Sequence, residues 1–238
     1  MSMKGSLSIE FNTFTILGRC SRTGALGVIT ATGEMAVGSR VPFVEDGAGA
    51  IATQALTDPR LGRRGLKLLK EGRSATDTLE RLAAADPHID TRQLGIVDIK
   101  GNVAARTGSS NSDWKGHIAK NGFVSMGNRL VGKSVVHAMA ECFQSKAEAP
   151  IWERLMFSIE AGRNAGGQKG GQRSAAIYVC DGLDYPLVDL RADDYDEPIN
   201  ELRRLYDLYV PRIPYYRRRA ADPTVGPFSE WQEAQNLN

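Results

Sequence analysis

The alternation of apolar and polar positions changes period several times along the chain, and those changes predict its elements. Residues 13–57 carry short β-prone runs, at 13–17, 26–30 and 49–55, with turn chemistry at Arg22-Thr23-Gly24. Glycine is dense in this stretch, as expected where sheets pack closely or a ligand meets backbone. From 58 to 86 the spacing becomes helical, with Leu61, Gly65, Leu68 and Leu69 on one face. Ser74 followed by Asp77 resembles a capping box and opens a second helix, which Asp86-Pro87 ends. Runs at 94–99 and 103–107 flank Lys100-Gly101-Asn102 and predict a hairpin. A loop around 114–117, a strand over 123–126, helices over 135–143 and 151–161, strands over 174–180 and 187–190, and a helix over 199–209 follow. Strands, helices, strands, helices, strands and a last helix suit a layered sandwich better than strict βαβ alternation. From Val210 onward Pro, Arg and Tyr dominate, which predicts an irregular arm over 210–238 after one domain over 1–209.

Composition narrows the function classes. The 238 residues are 42% apolar, ordinary for a globular protein. Thirty Lys and Arg stand against 28 Asp and Glu, a net charge of +2, which gives no reason to expect a nucleic-acid partner. Cys20, Cys142 and Cys180 are odd in number and far apart, against a disulfide framework or a structural zinc site. His88, His117 and His137 show no HxxxH or HxxH spacing, so neither a metal nor any other cofactor is expected. No apolar run approaches the roughly 18 residues of a membrane span, and no secretory signal is evident, so the expected location is the cytoplasm. The aromatic and Arg-rich tail points to a homodimer or larger homo-oligomer.

One formal motif stands out. Gly127-Asn-Arg-Leu-Val-Gly132-Lys133-Ser134 fits the phosphate-loop pattern GxxxxGK[ST], with a short strand before it and a helix after it. Against that reading, Leu130 and Val131 are bulky for a loop that wraps phosphates, and too few βα units follow. The string Gly33 to Arg40 fails the same pattern at Ser39, and the Gly166-Gly167-Gln168-Lys169-Gly170-Gly171 run lacks its spacing. That glycine run reads as a mobile loop or as a backbone nest for an oxyanion. His117, next to Trp114 and Gly116, is the histidine best placed to face a cleft, although a structural hydrogen bond is the better explanation of it. No GxSxG elbow is present.

Several stretches together resemble the DUF1028 family. They include NTFTILGR (12–19), TGALGV (23–28), AVGSRVPF (36–43), GAGAIATQA (47–55), RGLKLLKEG (64–72) and RQLGIVD (92–98). Further on come WKGH (114–117), MGNRLVG (126–132), AGGQKGGQRSAA (165–176) and VDLRADD (188–194), all in the family's order over roughly 12–208. The resemblance implies an α+β fold of the N-terminal-nucleophile (Ntn) hydrolase type, a four-layer αββα sandwich. It also implies that Lys133 matches the phosphate loop by accident, because relatives usually carry another residue there.

For chemistry, the resemblance implies an enzyme whose mature N-terminal Thr, Ser or Cys attacks an amide carbonyl with its own α-amine as base. That amine titrates near neutral pH, around 7.7–8.0. Thr13 is the candidate nucleophile and Thr15 the second, although both read equally well as β-branched strand residues. Twelve residues precede Thr13, so this role requires cleavage of the Asn12–Thr13 bond. Ser39, Thr53 and Gln54 are expected to line the same cleft with His117. Asn128 and the Gly166-Gly167 backbone are expected to support an oxyanion. Asp189, Arg191 and Asp194 form a charged group near the last strand, either an ion-pair network or part of a substrate site. Gln168, Gly170 and Tyr195 stand where the resemblance leads one to expect an acidic residue, a basic residue and His, which puts any shared substrate in doubt. The leading expectation is a hydrolase of a C–N amide bond in a small or peptide-like substrate. The alternatives are a non-catalytic Ntn-like protein that binds a small metabolite, and more remotely a phosphate-loop nucleotide binder.

Overall fold

A computed structural model describes residues 12–120 and 122–236. In chain order it begins with strands β1 (Thr13–Arg19), β2 (Leu26–Thr32), β3 (Pro42–Glu45) and β4 (Gly49–Ala55), and then helices α1 (Pro59–Lys70) and α2 (Ala75–Ala85). Strands β5 (Arg92–Asp98), β6 (Val103–Thr107), β7 (Gly116–Lys120) and β8 (Phe123–Asn128) follow, and then helices α3 (Ser134–Ser145) and α4 (Ile151–Asn164). The chain closes with β9 (Ser174–Cys180), β10 (Val188–Ala192), α5 (Pro198–Tyr209), α6 (Ile213–Ala221) and α7 (Phe228–Asn236).

The strands form two antiparallel sheets. One has the order β10-β9-β2-β1-β8-β7, the other β3-β4-β5-β6. Three apolar layers hold the stack together. Phe14, Ile16, Ile29 and Ile177 pack under Met139, Phe143, Leu155 and Ile159 of α3 and α4. Leu17, Leu26, Val28, Val124 and Met126 meet Ala50, Ala52 and Val97 between the sheets. Ile51, Leu94 and Ile96 pack on Leu61, Leu69 and Leu82 of α1 and α2. The result is the expected four-layer αββα sandwich. Strand β1 lies inside its sheet and is covered on both faces, so it reads as a run with no solvent-facing alternation. Gly95 lets the sheets approach: a Cβ there would sit 2.9 Å from Leu17 Cδ2 and 3.1 Å from Val124 Cγ1.

Local signals explain the helix ends. Asp58 accepts from Arg60 N at 2.9 Å ahead of Pro59 at the first turn of α1, and Ser74 accepts from Asp77 N at 3.2 Å at the start of α2. Three features differ from the sequence expectations. The loop expected at 114–117 runs into β7, an edge strand whose exposed residues hide its pattern. Strand β3 is a short edge strand that opens on Pro42, a residue edges tolerate. The arm expected to be irregular holds α6 and α7, which fold together through Tyr215 against Phe228 and Trp231, ring centroids 5.3 and 5.7 Å apart. Its basic run is partly anchored, because Arg217 pairs with Asp181 and Arg218 with Asp222. Among the described residues no helix is long and apolar enough to cross a membrane.

Candidate functional site

One end of the inter-sheet layer is polar. Residues 13, 15 and 17 of β1 face the second sheet, and only the third is apolar. Register places Thr13 beside Thr32 on one side and Asn128 on the other, and Thr15 beside Thr30. From the facing sheet, Gln54 pairs in register with Gln93, and Gln93 with Thr107. Every one of these side chains except that of Thr107 is buried.

Their hydrogen bonds fix the direction of each donor. Gln93 Nε2 lies 2.9 Å from Gly127 O and 3.1 Å from Gly116 O, so it must be the amide nitrogen. Gln93 Oε1 therefore accepts, from Gln54 Nε2 at 2.7 Å and from Asn128 Nδ2 at 3.1 Å. Gln54 Nε2 also donates to Thr13 O at 3.3 Å, which leaves Gln54 Oε1 to accept from Thr15 Oγ1 at 2.5 Å. With its single proton committed there, Thr15 Oγ1 accepts from Thr30 Oγ1 at 2.7 Å. The chain of bonds runs on through Thr107, 2.9 Å from Gln93 Nε2, to His117 Nδ1, 2.9 Å from Thr107 Oγ1. Desolvation of the His117 ring pushes its pKa below the usual value. No other side chain in this set titrates near neutral pH.

The peptide bond before Thr13 sits inside the same arrangement. Asn12 O accepts from Thr32 Oγ1 at 2.6 Å and from Gly33 N at 3.3 Å. Because Thr32 gives its proton to that carbonyl, Thr13 Oγ1, 3.0 Å away, is the donor to Thr32 Oγ1. The Asn12 side chain is clamped as well, with Nδ2 donating to Lys169 O at 2.6 Å and Oδ1 accepting from Gly33 N at 3.0 Å. Across the strand, Asn128 Oδ1 is buried with no hydrogen-bond partner among the described residues. Beside Gly33 opens a cleft of about 780 Å³ lined by Gly170, Gly171, Arg173, Asp194 and Tyr195.

Residues 13–202 match the model of a family of unknown function, DUF1028. The chain belongs to that family. A crystal structure of a DUF1028 protein from Silicibacter pomeroyi is 32% identical, with a TM-score of 0.77, over 92% of this chain and 93% of that one. Anbu (ancestral beta-subunit) from Yersinia bercovieri is 10% identical with a TM-score of 0.35, over 84% of this chain and 96% of that one, too slight a likeness to carry an argument. No curated protein matches the chain. The stretches that carry the DUF1028 resemblance converge on the polar end: NTFTILGR supplies Thr13 and Thr15, GAGAIATQA Gln54, RQLGIVD Gln93 and MGNRLVG Asn128.

Other residues singled out in the sequence lie elsewhere. Thr53 points to the opposite face of β4, with Oγ1 3.5 Å from Asp58 O at the start of α1. Ser39 is exposed on a short 3-10 turn and donates to Ala36 O at 2.8 Å. Gly166 N donates to Arg163 O and Gly167 N to Gly162 O, at 2.9 and 3.0 Å. That is a Schellman cap on α4, so these N–H groups are not free to hold an oxyanion. Arg191 pairs with Asp193 at 3.0 Å, and Arg173 with Asp194 at 2.5 Å; burial raises the Asp189 pKa. Of these charged residues only Arg173 and Asp194 line the cleft.

The phosphate-loop match does not form a phosphate site. Arg129 N donates to Ser112 O, Leu130 N to Trp114 O and Val131 N to Gly167 O, so three successive N–H groups of the loop are turned to protein acceptors and cannot wrap a phosphate. Leu130 is fully buried in the core, and the sheets are antiparallel throughout. Among the described residues no group of His, Cys, Asp or Glu could hold a metal ion. Sequence reasoning missed Thr30, Thr32, Gly33, Gln93 and Thr107. The alternation Thr30-Ala31-Thr32 beside Thr13-Phe14-Thr15 was the available signal, legible only once β1 and β2 are paired in register.

Proposed function

We propose that this DUF1028 protein is an amide hydrolase of the Ntn type, with Thr13 as nucleophile once the Asn12–Thr13 bond is cut. The observation that carries the reading is the pair of donors on the carbonyl oxygen of Asn12, Thr32 Oγ1 at 2.6 Å and Gly33 N, whose N–H is shared with Asn12 Oδ1. Two donors on one carbonyl oxygen suit the negative charge that develops when a nucleophile adds to its carbon. Thr13 Oγ would add to the Asn12 carbonyl carbon, and the C–N bond to Thr13 would break as its nitrogen takes the hydroxyl proton. Water would then hydrolyse the resulting ester, which leaves a carboxylate on Asn12 and a free amine and hydroxyl on Thr13.

The electrostatics favour this order of events. The intact site has no side-chain base hydrogen-bonded to Thr13; cleavage creates one, the α-amine. Asn128, the register partner of Thr13, offers the buried free acceptor Oδ1 that such an amine needs. Asn128 thus serves as an acceptor for the amine, in place of the oxyanion role expected from sequence. After cleavage, Thr32 Oγ1 and Gly33 N would serve an incoming amide carbonyl in the place that Asn12 O vacates, reached from the cleft beside Gly33.

A second reading rests on the burial of Asn12 and on the clamp from Lys169 O. In it the chain stays whole and the same cleft binds a small metabolite without chemistry. Incubation of purified protein with hydrolysable amides, with Thr13→Ala alongside, separates the two. Amide turnover lost in Thr13→Ala supports the first reading, and binding without turnover in both supports the second.

A further inference from the structure

The far end of β1 carries a second concentration of function-bearing groups. Thr13 opens the strand and Arg19 closes it, so the two ends are about 20 Å apart at the rise of an extended chain. At the Arg19 end the Cys20–Thr23 turn, the β5–β6 turn and Gly122 ahead of β8 meet the C-terminal part of α3 and the face of α4. Between them lies a cavity of about 410 Å³, lined among others by Arg19, Ser21, Lys100, Gln144 and Arg154. Among the described residues that line it, three are cations and none is a carboxylate.

The protein fixes Arg154 in place and leaves part of its donor set unspent. Arg154 is 8% exposed, and its Nε and one terminal nitrogen both donate to Phe143 O, at 3.1 and 3.0 Å. Its guanidinium also stacks 3.8 Å from the centroid of the Phe143 ring. The remaining N–H groups have no protein acceptor among the described residues. The half-buried Arg19 lines the cavity wall, and its Nε has no hydrogen-bond partner among the described residues. The nearby carboxylates are occupied. Asp98 accepts from Ala75 N, Lys100 N, Asn102 N and Asn102 Nδ2, which holds the turn that presents Lys100. Glu148 is 90% exposed and pairs with Arg22 at 3.7 Å.

We propose that this cavity binds the phosphoryl group of a small phosphorylated metabolite. The Arg19 guanidinium, the N–H groups of Arg154 that Phe143 O leaves over and the Lys100 ammonium supply the positive charge and donors that a dianionic oxyanion takes. The volume lies in the range of small-molecule pockets and exceeds what inorganic phosphate fills, so the phosphoryl group enters with an organic remainder. Ser21 and Gln144 line the cavity as neutral polar contacts for that remainder. The site is independent of the Thr13 chemistry.

Calorimetric titration of the full chain with inorganic phosphate and with glycerol phosphate at pH 8 tests it, with sodium chloride at matched ionic strength as control. Arg19→Gln and Lys100→Gln remove cations that make no protein hydrogen bond from the side chain, so both variants should fold as wild type does, checked by thermal melting. The expected result is phosphate binding above the chloride control, tighter binding of glycerol phosphate, and at least a tenfold loss of affinity in each variant. Lys67→Gln, an exposed cation on α1, should leave affinity unchanged. The proposal is overturned if phosphate acts no differently from chloride, if glycerol phosphate binds no tighter than phosphate, or if the two cavity variants bind as wild type does.

Discussion

Thr13 and Thr32 are cross-strand partners whose hydroxyl oxygens lie 3.0 Å apart, and the direction of the bond is fixed because Thr32 gives its own proton to Asn12 O at 2.6 Å. A two-residue relay thus links the candidate nucleophile to the oxygen of the bond it would attack.

Thr32→Val keeps the shape of the side chain and removes that donor. The rate of cleavage at Asn12–Thr13 should fall by about a hundredfold or more, the loss typical of one oxyanion donor. Mass spectrometry over time reads the rate. Folding stability should fall by only about 1–2 kcal/mol, since two groups lose one hydrogen bond each.

Gln93 is the hub of the polar layer. Gln93→Leu takes a hydrogen-bond partner from Gln54 Nε2, Asn128 Nδ2 and the carbonyls of Gly116 and Gly127. The expected cost is on the order of 3 kcal/mol, because buried groups left unpaired lose their full desolvation energy. Urea unfolding of the variant against wild type measures it.

Asp86 and Arg92 form a mostly buried ion pair at 3.0 Å, where α2 ends and β5 begins. Burial pushes the Asp86 pKa up, but the N–H of His88 and the Arg92 guanidinium outweigh it and hold the carboxyl below its ordinary value. A depressed folded-state pKa means that its contribution is complete above the unfolded value of about 3.9 and is lost as pH falls through the folded value. Wild-type stability should therefore drop below about pH 4. Asp86→Asn should flatten that part of the profile in thermal melts, and it should be less stable at pH 7 by on the order of 2 kcal/mol, the typical worth of a hydrogen bond to a charged group.

The loop from Gly127 to Ser134 should not bind nucleotide. Lys133→Ala is expected to leave any magnesium-ATP shift of the melting temperature the same as in wild type, because the N–H groups of Arg129, Leu130 and Val131 are already paired.

The fold was largely legible in the sequence. Strand β1, the capped helix after Ser74 and the hairpin around Lys100-Gly101 follow from local pattern, and the ordered family segments supplied the layering. What stayed hidden depends on pairing across the structure. Gln93 looks like an ordinary polar residue at a strand start until β5 is laid against β4 and β6. Thr53 and Gln54 are adjacent in sequence, but the strand period sends one to the α1 side and the other into the site. The GxxxxGKS string was legible and misleading, because its backbone is committed to Ser112, Trp114 and Gly167, outside the loop itself. Helices α6 and α7 were masked by a Pro- and Arg-rich composition, while the aromatic contacts of Tyr215 hold them together.

The most direct test is the intact mass and N-terminal sequence of freshly purified protein, followed during incubation at pH 8, with Thr13→Ala in parallel. Wild type should shorten to a chain that begins at Thr13, and Thr13→Ala should keep the peptide bond between residues 12 and 13. A wild-type chain that keeps residues 12 and 13 joined while it hydrolyses an amide substrate would contradict the account.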